Sequence, residues 1–506
     1  IKTIDHKSQP DYSNPQQFTD VVMEYDYDIQ GNLTQVTNAI NQIAFIYKYD
    51  LQKQARYTSH IDSGVSLAIL DSLGKPIEGS DAKQARTLAT YDRLQRPTFG
   101  WSQDNAAAPL YMTMRSTYGD NAGVPTPITN NLLGKLYEQY DEAGLVTNLQ
   151  FDFKGNLLSK TRKVISDAQL KTPFAGSPPW TNLAPYRVDW TTIGTQLGST
   201  TYQTDSQYDA LNRVTQLTLP QDVNSNRKTI TPGYNRAGAL EKVTYDSVEY
   251  VKHLAYNAKG QRILLALGND TMTRYAYDEK TFRLKRQRTE EYTYTKNYQT
   301  ITYEPQSGTA KQDDGYGYDL VGNILEINKR TTGCGVGGSN SLDRTFSYDP
   351  LYRLRTATGR ENVSGGNYPF PGWTDMTRPT TANTTTAYTR KYEYDEIGNI
   401  LQLKQTGTIN FNRNYSYNTS TNNYLNSVTI GANSYTYQYD QVGNQTQENT
   451  ERFFDWDAAN RLRAFRNQAG TSEPTIYTQY LYDNGGNRVK KITRKQGGTY
   501  EIRVYI

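Results

Sequence analysis

One eight-residue pattern, Tyr-x-Tyr-Asp-x-x-Gly-Asn, recurs from one end of this chain to the other. A repeat at such a period restricts the fold to stacked copies of one supersecondary unit. The fullest copies hold Tyr25, Tyr27, Asp28, Gly31 and Asn32; Tyr318, Asp319, Gly322 and Asn323; Tyr394, Asp395, Gly398 and Asn399; and Tyr439, Asp440, Gly443 and Asn444. Shorter copies lie between them, among them Tyr47 to Asp50, Tyr91-Asp92, Tyr140-Asp141, Phe151-Asp152 with Gly155-Asn156, Tyr208-Asp209, Trp456-Asp457 and Tyr480 to Asp483. The total is about sixteen, many roughly twenty residues apart.

Each copy reads as strand, turn, strand. Tyr25 and Tyr27 lie two residues apart and share one sheet face, with Asp26 on the other. Asp28 can accept hydrogen bonds from turn amides, Gly31 can take positive φ, and Asn32 tolerates the left-handed conformation. Leu33 then opens the returning strand. One hairpin is marginal by itself, whereas side-by-side hairpins gain stability from their neighbours. A sheet of roughly thirty strands cannot stay flat and must curl. The expected fold is therefore all-β, a long array of hairpins wound into a spiral with a hollow interior.

Composition agrees. Of 506 residues only 36% are hydrophobic, yet 43 are tyrosine and 38 glycine, and mean hydropathy is −0.79. Tyrosine suits half-wet sheet faces, because its ring packs while its hydroxyl finds a polar partner. A net charge of +4 argues against nucleic acid as a partner. No apolar run is long enough for a membrane span, and Ile1 to Asp5 is not a signal peptide. The chain lacks an initial Met and is expected to be a stretch of a longer polypeptide. We read it as one array over 1–506, with loop insertions near 64–87, 105–130, 171–198 and 362–387, and with Phe174 to Trp180 packed on the wall.

No catalytic, cofactor or metal site emerges. His6, His60 and His253 are scattered and lack ligand spacing. The turn aspartates recur at one structural position, which explains them without catalysis. The glycine-rich stretch Thr331 to Gly338 lacks a phosphate-loop ending and reads as a flexible loop, and nothing near Cys334 would activate its thiol.

These repeats resemble the Tyr-Asp (YD) repeat family, which includes bacterial Rhs proteins, the B and C subunits of insecticidal toxin complexes and, more distantly, teneurins. Gly134 to Gly144, Phe151 to Leu158, Tyr208 to Arg213, Ala258 to Arg262 and Leu351 to Leu354 with Thr358 to Glu361 look most like the C-terminal half of a toxin-complex B subunit. The resemblance implies a non-enzymatic structural shell that encapsulates a cytotoxic cargo until delivery. Its implied partners are the chain's own C-terminal toxic domain or a C-type subunit completing the shell, and a translocation or injection device. The implied location is secreted or injected from a bacterium after assembly in the cytoplasm. The family's Asp-Pro-x-Gly core motif is absent from this sequence, so self-cleavage is assigned to no residue. The alternative is an extracellular carbohydrate-binding or adhesion module of teneurin type.

Overall fold

The computed structural model describes residues 2–8, 18–176, 178–297, 300–331, 342–362 and 385–506. Its thirty-seven strands form one sheet. Paired strands run antiparallel, as in Leu33–Thr37 with Ile43–Tyr49 and Ile476–Tyr482 with Arg488–Lys495. Strand Leu284–Asn297 is long enough to pair with both Thr300–Pro305 and Gln312–Tyr318. A meander of this kind puts successive turns on opposite rims, so the motif turns share one rim, which we call the motif rim.

The sheet closes on itself. Gln42 donates to the carbonyl of Thr419, Asp62 accepts from the Asn423 amide at 2.6 Å, and Lys83 donates at 2.8 Å to the carbonyl of Asp457. In each case the plain rim of the first coil meets the motif rim of a coil 361 to 377 residues later. Between the two contacts at Gln42 and Thr419 the wall is about twenty-five strands wide, which at strand spacing is about 120 Å of circumference. Sixteen to eighteen strands already leave a water-filled channel, so side chains cannot fill a ring of this size.

The buried apolar clusters lie mainly at this seam. After strand Leu157–Val164 the chain leaves the sheet until Tyr202–Tyr208. This strap includes the short helix Asp167–Lys171 and crosses between the two coils. Ile165, Leu170, Val188 and Trp190 pack with Tyr140, Ala143 and Val164 from the first coil and with Leu481, Val489 and Ile492 from the second. Phe174 and Leu183 pack on Ala464 and Tyr477, with Trp180 beside them.

Several expectations need correction. Residues 64–87 are no insertion, since Gly64–Leu70 and Pro76–Ser80 are ordinary ladder strands. Leu70 stands where a tyrosine would, but Asp71 still accepts from the amides of Leu73 and Lys75 at 2.9 Å, and Gly74 has φ +81°. Strand Tyr111–Tyr118 likewise runs through 105–130. Tyr140-Asp141 is no motif turn: it closes a tight turn on the opposite rim, where Asp141 pairs with Gly144. Of 362–387, residues 363–384 lie outside the described residues, as do Cys334 and most of the glycine-rich loop. His6 lies in strand Lys2–Ser8, the Nδ1 of His60 accepts from turn amides, and His253 stacks on Tyr303.

Candidate functional site

In the first full repeat Oδ1 of Asp28 accepts from the amides of Gln30 at 2.8 Å and Asn32 at 2.9 Å, while Nδ2 of Asn32 donates to Oδ2 at 2.8 Å. The Gly31 amide closes the turn on the Asp28 carbonyl. Asp319 with Asn323, Asp395 with Asn399 and Asp440 with Asn444 repeat this arrangement. Asn32, Asn323, Asn399 and Asn444 thus act through their side chains and amides, and none takes the left-handed conformation. That conformation falls on the preceding residue, at φ +81° for Gly31, +114° for Gly322, +97° for Gly398 and +87° for Gly443. Where glycine is missing, Lys53, Gln95 and Asn212 adopt it at about +60° (61°, 63° and 62°).

Those unbranched substitutes set the expectation for mutation. Gly398 has open space around a would-be Cβ, so Gly398→Val tests backbone strain alone. It should cost about 1 kcal/mol or more, read as a lower thermal midpoint, with Gly398→Asn much milder. Equal midpoints for both variants would refute the turn assignment.

Hydrogen bonding holds several of these half-buried turn carboxylates below the usual range. For Asp28 and Asp152 the main cause is the side chain of Asn32 or Asn156, and for Asp50, Asp92 and Asp209 it is the amide of the residue four positions on. A carboxyl with a depressed folded pKa contributes stability above its unfolded pKa and loses it as pH falls through the folded value. Thermal stability should therefore stay level from about pH 5 to 8 and drop below about pH 4, as followed by circular dichroism across that range.

The second tyrosine of the motif joins hairpins. The ladder between Leu33–Thr37 and the next strand stops at Gln35–Ile46, leaving the Leu33 carbonyl without a ladder partner on that side. The Tyr49 hydroxyl donates to it at 2.8 Å. Tyr318 bonds Leu284, Tyr394 bonds Leu354 and Tyr439 bonds Leu425 in the same way, and Trp456 substitutes its indole N–H toward Gln445. A register shift sits just before the second aromatic residue in these repeats, as between Asp26 and Tyr27 or Gly317 and Tyr318.

The seam carries an ionic network that the repeat pattern does not announce. Arg187 on the strap reaches Asp104 at 3.0 Å and Glu142 at 2.9 Å. Glu142 also meets Arg461 at 3.0 Å, and Asp104 accepts from the Ala458 amide at 2.9 Å and pairs with Arg463. Asp141 takes a two-pronged contact from Arg162, 2.7 Å on each arm, and two backbone amides. Burial pushes the carboxyls of Asp141 and Glu142 upward against the pull of these arginines. Trp190 is fully buried and donates to the Asp141 carbonyl at 3.0 Å. On the other coil, Lys490 reaches the Ile165 carbonyl at 2.5 Å and Gln479 accepts from the Tyr186 amide at 2.8 Å. Among the described residues no three His, Cys, Asp or Glu side chains converge to hold a metal, and no helix is long and apolar enough to cross a membrane.

No family model matches the chain. Over 98% of its length it is 24% identical to toxin subunit YenC2 of Yersinia entomophaga, and it is similarly related to YenC1 of the same organism. It spans about half the length of these curated relatives, 52% and 50%. Among solved structures, the TcdB2-TccC3 complex matches the whole chain with a TM-score of 0.80 at 22% identity, the chain covering 24% of that longer polypeptide. The chain has the YD-repeat fold of the toxin-complex shell. A Tc holotoxin pore from Photorhabdus luminescens matches in the same way, with a TM-score of 0.81 over the whole chain at 23% identity and 23% of that chain covered. Both curated relatives are named toxin subunits.

Proposed function

We propose that this chain is a wall segment of a toxin-complex shell that encloses a cytotoxic polypeptide until delivery. The observation that carries the reading is the coil itself: an antiparallel meander about twenty-five strands to the turn, too wide for its own side chains to fill. The whole-length likeness to toxin-complex structures supports it. Enclosure would keep the cargo from the producing cell, and a wall this polar would hold an unfolded chain weakly. The wall acts as a container in this reading and supplies no catalytic group.

The shell would be completed by further wall, from the same polypeptide or from a companion subunit, and opened at a translocation device. Ile29, Leu51, Leu73, Leu94, Phe153 and Leu211 on the first coil's motif rim are well exposed, whereas the docked motif rim presents Gln441, Ala458, Ala459 and the half-buried Val442 at the same turn positions. The apolar tips suit contact with such neighbours. Assembly in a bacterium followed by secretion or injection fits this role.

Limited proteolysis of the full-length native protein, with mass spectrometry of the products, tests the proposal. A C-terminal fragment resistant until the particle is denatured is the expected result. A cargo segment digested at the same rate in native and denatured particles would overturn it.

A further inference from the structure

The sequence contains a single Asn-Gly dipeptide, Asn484-Gly485, and the fold places it at the tip of a seam-side motif turn between Ile476–Tyr482 and Arg488–Lys495. Both residues are exposed. In sister turns the amide two positions beyond the aspartate is held by that aspartate's carboxylate, as at Gln30, Lys154 and Ala459. The Asp483 carboxylate is instead bonded, among the described residues, by the amide and side chain of Asn487. Among the described residues the Gly485 N–H has no hydrogen-bond partner.

We propose that Asn484 is a site of spontaneous deamidation built into the seam. The Gly485 main-chain nitrogen attacks the Asn484 side-chain carbonyl carbon, a C–N bond forms, and the side-chain nitrogen leaves as ammonia carrying the proton that the amide gives up. Water then opens the cyclic imide at either carbonyl, giving aspartate or isoaspartate. Glycine leaves the attacking nitrogen uncrowded, and exposure at a turn tip admits water. The motif asparagines Asn32, Asn323 and Asn444 precede Leu33, Ile324 and Gln445 and are tied to their aspartates. Asp314-Gly315, which could cyclise by the same route, is fixed in a strand with Gly315 paired on both sides.

The change falls where it matters to the coil. Asp483 and Asn487 line a cavity of about 430 Å³ together with Arg162 and Val489 from the two sides of the seam. A carboxylate at position 484 puts a second negative charge beside Asp483. Isoaspartate also lengthens the main chain of a turn closed by a 2.9 Å bond from the Asp483 amide to the Asn487 carbonyl.

The test ages the native full-length chain in mildly alkaline buffer and follows the tryptic peptide spanning 467–488 by mass spectrometry. The expected result is an exchange of NH2 for OH at Asn484, resolved into two isomeric peptides and outpacing every other asparagine, with hydrogen exchange in the turn and the strap rising several-fold in parallel. Asn484→Gln should abolish both changes. The proposal fails if Asn484 keeps its amide as long as asparagines elsewhere, or if full conversion leaves exchange at the seam unchanged.

Discussion

Trp190→Ala should open the seam and leave the wall standing. Trp190 is the largest fully buried side chain among the described residues, packs on Tyr140 with ring centroids 4.9 Å apart, and satisfies the Asp141 carbonyl through its indole N–H. Truncation removes that contact area, leaves a cavity and strands a buried acceptor, a loss of about 3–5 kcal/mol. A repeat array is stabilised through nearest neighbours, so the loss should stay local. Hydrogen exchange should quicken in Ile476–Tyr482, Arg488–Lys495 and the strap, while Val248–Tyr256, far from the seam, keeps its protection. Uniform acceleration along the whole sheet would mean that the array unfolds as one unit.

Arg162→Met should do comparable damage by a different route, and its pH dependence identifies the cause. The substitution keeps much of the apolar stem but leaves the Asp141 carboxylate, 3% exposed, without its ionic partner. Breaking a buried pair from one side costs about 3–5 kcal/mol. Burial already pushes the Asp141 carboxyl upward against the opposing pull of Arg162, and removing that pull raises it further. A carboxyl whose folded pKa is raised binds its proton more tightly when folded, so the penalty is absent below the unfolded pKa and grows as pH rises through the folded one. The variant should fall furthest behind the parent near neutral pH and recover part of the gap toward about pH 4. A gap independent of pH would assign the loss to packing instead.

The wall was legible because each copy of the repeat writes its turn within five residues. Asp28, Gly31 and Asn32 are adjacent in sequence and in space, so their chemistry can be read without knowing the fold. The same locality misleads where spelling and phase part company. Leu70 in the tyrosine slot hid two regular strands in 64–87, and Tyr140-Asp141 looked like a motif turn although it lies on the opposite rim. The tyrosine hydroxyl bonds were out of reach because their acceptors are carbonyls of the preceding hairpin, exposed by where the ladder ends.

The seam left almost no trace in the sequence. Lys83, Asp104, Glu142 and Arg187 are ordinary charged residues until the coil brings Asp457, Ala458 and Arg461 beside them, more than three hundred residues away for the first three. One hint was readable: the interruption at 171–198 carries Phe174, Trp180 and Trp190 in an otherwise polar chain. Apolar side chains of that size in a loop need a surface to cover, and two coils of wall provide it.

Electron cryomicroscopy of the full-length protein, with and without any segment that follows this wall, addresses the proposed enclosure most directly. The expected result is a closed coil whose lumen holds diffuse density that disappears when the segment is removed. A lumen equally empty in both particles, or a following segment folded outside the wall, would contradict enclosure.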